Sequence, residues 1–263
     1  FLDAPREDHA FLAVFKPKLD IVYEDENLML LNKRPGLLFH PDQHEKVSTL
    51  ITHIQAYLYQ KGEWNPREEG CFAPALCNRI DRNTGGIVMA AKNAEALRII
   101  NEKIRCREID KYYLAVIRGA MPAPVGLLEG FLLKDGDRSQ VKVCRRPVPG
   151  GRSAATEYRT LDSHGGLSLI ECRLLTGRTH QIRAQFADAG HPLLGDGKYG
   201  RERDNRQYGR SYQALWSYKL TFSFPTGAGM LEYLRGRTFT VEQVDFVREY
   251  FPGFTVPKSP NPA

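Results

Sequence analysis

The residue best placed to do chemistry is Asp81. It stands in Asn78-Arg79-Ile80-Asp81-Arg82-Asn83-Thr84-Gly85-Gly86-Ile87, one carboxylate between two arginines, and the segment opens into the apolar run Ile87-Val88-Met89-Ala90-Ala91. Neighbouring cations favour the charged form of a carboxylate, and glycines let the chain turn sharply, so the group is expected to project, ionised, beyond a sheet edge. In an arbitrary protein the same aspartate would be a turn residue bonding its own backbone, or half of a surface pair with Arg82. A second block, Leu175-Thr176-Gly177-Arg178-Thr179-His180-Gln181-Ile182-Arg183, reads as a strand ending at a glycine and then a helix with further cationic and polar groups. The two blocks together suggest an anionic catalytic group in a site built for phosphates.

The elements that must carry these blocks are mostly short. Asp20-Ile21-Val22-Tyr23 and Leu28-Met29-Leu30-Leu31 flank the polar turn Glu24-Asp25-Glu26-Asn27 as a hairpin would. Ser48 reads as the N-cap of a helix with Ile51, Ile54 and Leu58 on one face. Asn93 reads as the cap of a second helix over residues 94–105, with Leu97, Ile100 and Ile104 at helical spacing. Strands are then expected over 112–117, 127–133, 141–144, 155–161, 167–175 and 214–224, which gives an α+β layout with a largely antiparallel sheet and flanking helices. Lys111, Tyr113 and Ala115 would share one strand face, and Tyr112 and Leu114 the other. Thr240 and Gln243 have the spacing of a capping box before Val244 and Val247, with Pro252 as a stop. The expected division is an extension or linker remnant over 1–18, one catalytic domain over 19–251, and a tail over 252–263, disordered from Pro257.

With 263 residues and 42% hydrophobic content the chain can bury a substantial core. A net charge of +6 suits a polyanionic partner. Its five cysteines, Cys71, Cys77, Cys106, Cys144 and Cys172, are odd in number and form no Cys-x-x-Cys pair, which argues against a disulfide framework or a zinc site and fits a reducing cytoplasm. No apolar run approaches the roughly 20 residues of a membrane helix, and Phe1-Leu2-Asp3-Ala4-Pro5 is not a signal peptide.

Four motifs carry a resemblance. Arg79-Ile80-Asp81-Arg82 with Thr84-Gly85-Gly86, Lys111-Tyr112-Tyr113-Leu114-Ala115 ending at Gly119, Gly177 to Arg183, and Gly190-His191-Pro192-Leu193-Leu194-Gly195-Asp196 with Tyr199-Gly200 resemble, in order and approximate spacing, those of the RluA-type RNA pseudouridine synthases. The similarity runs from about Leu19 to about Phe224. Two places depart from the family pattern. Asn32-Lys33-Arg34-Pro35-Gly36 stands where Asn-Lys-Pro-Ala-Gly is usual, and Leu215-Trp216-Ser217 where Leu-His-Ala is usual.

The resemblance implies a pseudouridine synthase core with a central cleft between Asp81 and Arg183. Uridine becomes pseudouridine when a C1′–N1 bond is broken and remade as C1′–C5, a rearrangement that requires no cofactor and no metal. Asp81 can attack C1′, add to C6 or remove the C2′ proton. Arg183 would pair with it through a bidentate guanidinium fork. Tyr113 would stack on the flipped uracil and remove the C5 proton late, although a tyrosine in a strand is more often core. Leu215 would pack under the site. Arg178 and His180 would touch phosphates, His180 being equally a structural histidine, and Arg82 would contact the RNA beside Asp81. Arg79 would fill the stack that the uridine vacates or contact a phosphate. Basic loops at Arg138, Lys142, Arg145, Arg146 and Arg152, and at Lys198, Arg201, Arg203, Arg206 and Arg210, would grip RNA.

The expected protein is thus a cytoplasmic monomer acting on RNA, ribosomal or else transfer RNA, with no membrane partner. The competing readings are a non-catalytic RNA-binding or ribosome-assembly factor and a glycosidase. The latter requires paired carboxylates, and the sequence offers no second one near Asp81. Relatives of this type often carry a small basic RNA-binding domain ahead of the first strand, so such a domain is expected upstream of Phe1.

Overall fold

Asp25 makes the first turn: its Oδ1 accepts from the backbone N–H groups of Asn27 and Leu28 at 2.8 Å each, closing the hairpin of β1 (Ile21–Glu24) and β2 (Leu28–Lys33). The computed structural model describes residues 9–68, 70–135, 139–200 and 202–258. After the hairpin come α1 (Leu50–Gln60), β3 (Ala75–Leu76), β4 (Gly85–Ala91), α2 (Ala94–Arg105), β5 (Ile109–Arg118), β6 (Val125–Asp135), β7 (Gln140–Cys144), β8 (Arg152–His164) and β9 (Leu167–Leu174). The chain continues through α3 (Gln181–Asp188), α4 (Glu202–Gln207), β10 (Leu215–Phe222), β11 (Thr238–Thr240) and α5 (Asp245–Tyr250).

All of these strands join one sheet in the order β1-β2-β4-β10-β5-β9-β8-β6-β7, with β11 on β10 and β3 on β4. The pair of β4 and β10 is parallel and the others are antiparallel, so the fold is α+β with a mixed, largely antiparallel sheet. Alternation along β4 feeds two cores. Ile87, Met89 and Ala91 pack with Ile100 of α2 and Phe246 of α5, whereas Val88 and Ala90 pack with Ile54 and Leu58 of α1. A third cluster, with Tyr113, Ala115, Leu193 and Leu215, closes around Ile182 and Phe186 of α3.

Several strands exceed their expected limits; β5 and β8 each gain residues at both ends, because ladder pairing continues beyond the apolar positions that mark them in the sequence. Asn93 caps α2 as expected, accepting from the Ala96 N–H at 2.9 Å. Two caps differ. Thr49, not Ser48, caps α1 in a reciprocal box with Thr52, while the Ser48 N–H donates to Glu45 Oε1. Val244 precedes α5 with no side-chain cap, because Thr240 is taken into β11 opposite Lys219. Phe11 and Val14 are buried against α1, and at the other end Phe251 and Val256 lie in the large core. Residues 1–8 and 259–263, with Arg138 and Arg201 of the basic loops, lie outside the described residues.

Candidate active site

Asp81 sits in the turn between β3 and β4. The turn is held from both ends: the Thr84 N–H donates to the Asp81 carbonyl at 3.0 Å, and Asn78 Oδ1 accepts from the Met89 N–H at 2.8 Å. The glycines after it serve close approach more than turning. Gly86 has φ +113°, and a Cβ there would meet the Ser217 carbonyl oxygen at 2.2 Å, while one on Gly85 would meet the Trp216 ring at 2.4 Å. Trp216, in the place of the usual histidine, thus fits against bare backbone and donates from Nε1 to Asn32 Oδ1 at 3.1 Å.

Lys33, which the sequence reading left without a role, fastens this turn to the loop after β2. Its Nζ is fully buried and donates to the carbonyls of Arg34, Leu37 and Arg82 at 3.0, 3.2 and 2.8 Å. Burial pushes its ammonium down to about 7, with Asp81 opposing the shift. The Gly36 N–H also donates to the Arg82 carbonyl, at 2.9 Å, so the unusual Arg34-Pro35-Gly36 sequence forms part of the cradle of the Asp81 turn.

Helix α3 brings the second block. Gln181 and Gln185, one turn apart, fix it to β8: Gln181 Nε2 donates to Ala155 O and Thr156 Oγ1 at 3.0 and 2.8 Å, and Gln185 Oε1 accepts from Thr156 Oγ1 at 2.6 Å. His180, just before the helix, adopts φ 53°, a left-handed conformation that caps nothing by side chain. Arg183 is thereby aimed at Asp81, with Nη1 donating to Asp81 Oδ2 at 2.7 Å.

The guanidinium fork does not go to Asp81. Nε and Nη2 instead grip Asp196 at 2.7 and 2.9 Å, leaving a single bond for Asp81. Asp196 is fully buried, and its Oδ1 also accepts from the Lys198 and Tyr199 N–H groups at 2.9 and 3.1 Å. Burial alone would raise its carboxyl; Arg183 and those two amides bring it below the usual value. Burial likewise opposes the charge of Arg183, which Asp196 and then Asp81 more than restore. A second carboxylate does therefore stand near Asp81, contrary to the sequence reading, but Arg183 occupies both its oxygens. Asp81 and Arg183 are in direct contact.

His180 and Tyr199 complete one wall. His180 Nε2 lies 3.7 Å from Asp81 Oδ2, and Nδ1 shares a 2.9 Å hydrogen bond with Tyr199 Oη, which also accepts from the Val141 N–H at 2.8 Å. Burial holds His180 below its usual pKa, Asp81 pulling it back and Arg183 adding to the shift. The Tyr199 ring also receives the Arg183 guanidinium at 5.2 Å. Asp196 and Tyr199 stand in the fourth motif, the only sign in the sequence that they matter.

Tyr113 of β5 is buried directly across from Ser217 of β10. Burial pushes its phenol up to about 12; a hydrogen bond from Ser217 works the other way, and Asp81 adds to the rise. Leu215, two residues before Ser217, is buried in the same cluster as Tyr113 and Ile182. The remaining arginines serve the margins. Arg82 is exposed and donates from Nε to Gly36 O at 3.1 Å; Arg178 donates from Nε to Ser153 O at 3.1 Å. Arg79 is exposed and depresses the neighbouring His40 beyond the effect of burial. Among the described residues no group of three His, Cys, Asp or Glu side chains converges as metal ligands would, and no helix is long and apolar enough to cross a membrane.

Residues 27–188 match the family of RNA pseudouridylate synthases. The chain is 32% identical over 216 residues to an uncharacterised RNA pseudouridine synthase of Bacillus subtilis, covering 82% of this chain and 68% of that protein. It is 34% identical over 185 residues to ribosomal large subunit pseudouridine synthase D of Borreliella burgdorferi, covering 69% of this chain and 54% of the relative. The solved human RNA pseudouridylate synthase domain containing 4 shares the fold, with a TM-score of 0.67 at 21% identity over 91% of this chain and 93% of that one. On the family match and the 32% identity sustained over most of its length, the chain belongs to the RNA pseudouridylate synthase family.

Proposed function

We propose that this protein isomerises a uridine of RNA to pseudouridine, with Asp81 as the reacting carboxylate, Arg183 as its positioning partner and Tyr113 against the uracil. The observation that carries this reading is the 2.7 Å bond from Arg183 Nη1 to Asp81 Oδ2, made by a guanidinium that Asp196 fixes from behind. One donor restrains the carboxylate's direction, and its other oxygen stays available for chemistry. The C1′–N1 bond breaks, C1′ bonds C5, N1 gains a proton and C5 loses one, so composition is unchanged.

A phenol held near 12 is neutral at physiological pH. It ionises more readily when Asp81 bonds to the substrate, since the negative charge that raises the phenol's pKa is then consumed. Ser217, donating to the same oxygen, assists that change. A stacked uridine cannot reach Asp81, so the nucleotide flips out, at a cost of a few kcal/mol that is lower in loops. Arg79 is exposed two residues away and is the side chain proposed to enter the vacated stack. Arg82, Arg178 and the basic loops contact phosphates. The proposed substrate is large-subunit ribosomal RNA, the target in the names of relatives from Borreliella burgdorferi and Neisseria meningitidis. The proposed setting is a cytoplasmic monomer.

Asp81→Asn tests the reaction. It removes charge and basicity but little volume, so pseudouridine formation is abolished while RNA affinity stays within about threefold, since phosphate contacts dominate binding. Measurable product from clean variant protein would overturn the assignment. Pseudouridine maps of ribosomal and transfer RNA from a strain lacking the gene test the target, and a defect confined to transfer RNA would refute the ribosomal half.

A further inference from the structure

The hydrogen bonds around His180 place its proton. Tyr199 Oη accepts from the Val141 N–H at 2.8 Å, so the phenol's own hydrogen is the one directed at His180 Nδ1, 2.9 Å away. An imidazole that accepts at Nδ1 carries its proton on Nε2. That nitrogen lies 3.7 Å from Asp81 Oδ2, beyond hydrogen-bond reach, and Oδ2 already accepts from Arg183 Nη1 at 2.7 Å. Both rings are held from their backbones. The His180 carbonyl accepts from the Ala184 N–H at 2.9 Å, and the Tyr199 N–H donates to Asp196 Oδ1 at 3.1 Å. The φ of 53° at His180 is a left-handed conformation in a residue other than glycine, and such strain collects at functional sites. His180 thus presents a fixed N–H beside the carboxylate that the target nucleotide has to reach.

We propose that His180 Nε2–H donates to the 2′-hydroxyl oxygen of the flipped nucleotide and so makes the site selective for ribose over deoxyribose, with Tyr199 as the residue that sets the tautomer. The inference rests on the pseudouridine synthase reading given above. Whether Asp81 attacks C1′ or removes the C2′ proton, its carboxylate lies against the sugar, and the 2′ oxygen is one bond from C2′ and two from C1′. A donor next to the carboxylate therefore meets that oxygen, the group by which a protein tells RNA from DNA. The uracil lies against Tyr113 in the wall made by β5 and β10, which leaves the ribose to face His180. A phosphate fits less well there. Asp81 and Asp196 set two carboxylates against the one guanidinium of Arg183, and the nearby Lys198 has its Nζ turned to Ser139 O at 3.1 Å. The ring oxygen O4′ takes up positive character as the C1′–N1 bond breaks, and a donor to it would oppose the reaction.

The test is a cycle of protein and substrate changes in single-turnover pseudouridine formation. The probe is the ribosomal RNA fragment containing the mapped uridine, made with uridine, 2′-deoxyuridine or 2-thiouridine at that one position. His180→Asn tolerates the left-handed backbone and can still meet Tyr199, but its amide is too short to replace Nε2; the amide nitrogen of His180→Gln reaches about that far. Removing the 2′-hydroxyl is expected to slow wild type and His180→Gln about 3–10-fold more than it slows His180→Asn. Tyr199→Phe should lose part of that discrimination, and long-range proton–nitrogen NMR spectra should show the Nε2–H tautomer of His180 in wild type and a mixture in Tyr199→Phe. Equal deoxy penalties in wild type and His180→Asn would overturn the proposal, as would an Nδ1–H tautomer in wild type. A non-additive effect of 2-thiouridine in place of the 2′ effect would overturn it too, by assigning the N–H to the base. Absence of product from wild type on the all-ribose fragment would instead count against the underlying function.

Discussion

Asp196→Asn probes the concealed half of the site. The substitution keeps the volume of a fully buried side chain but removes the charge that the Arg183 fork grips at 2.7 and 2.9 Å. Losing one partner of a buried pair costs about 3–5 kcal/mol, and the low end applies here because Asp81 still neutralises part of Arg183. About 3 kcal/mol corresponds to a fall of about 6–12 °C in Tm for a domain of this size. The released fork is then free to turn onto Asp81 with two N–H groups, pinning the carboxylate proposed to react. A misplacement of about 1 Å costs about 100-fold in rate, or about 2.7 kcal/mol. Circular dichroism melts and single-turnover assays measure the two effects. Asp81→Asn is the contrast: its side chain is 24% exposed and Arg183 keeps Asp196, so Tm should fall by only about 2–4 °C although activity disappears. An Asp196→Asn protein that melts and turns over like wild type would refute the argument, as would an equal loss of Tm in Asp81→Asn.

Tyr113→Phe should keep uracil stacking and lose turnover, since only the hydroxyl goes; a wild-type single-turnover rate would assign Tyr113 to packing. Activity should survive prolonged EDTA treatment, and a loss reversed by one specific divalent ion, with the RNA still folded, would contradict that. Gly86→Ala should destabilise the protein by more than about 3 kcal/mol, because its Cβ would lie 2.2 Å from the Ser217 carbonyl at φ +113°; an unchanged melt would show that β4 and β10 separate easily.

Local rules were the legible part of this chain. The Asp25 hairpin, the Asn93 cap and the alternation of β5 follow from neighbours in sequence, and the structure keeps them. The misplaced helix starts have a common cause: a competing partner nearby, Glu45 for Ser48 and β11 for Thr240, claimed the capping residue. At the site, the motifs brought Asp81, Arg183 and Tyr113 together on paper. They could not divide the Arg183 donors between two carboxylates, because that division depends on the loop after Leu194 folding under the helix. Lys33 escaped for a similar reason. Its three acceptors are backbone carbonyls, one of them 49 residues away, and carbonyls carry no mark in a sequence.

The position of β10 sets an order of events during synthesis. It is the strand between β4 and β5, yet it ends roughly a hundred residues after β5 does. At about 5–20 residues per second a nascent chain waits about 5–20 s with both neighbouring strands unpaired on that side. Throughout that interval Asp81 and Tyr113 have been made but nothing joins their strands, and two long apolar edges are open to a neighbouring chain. A premature stop before Leu215 should therefore yield an aggregating product rather than a weak enzyme, and a ribosome-bound chaperone would be most needed in that window.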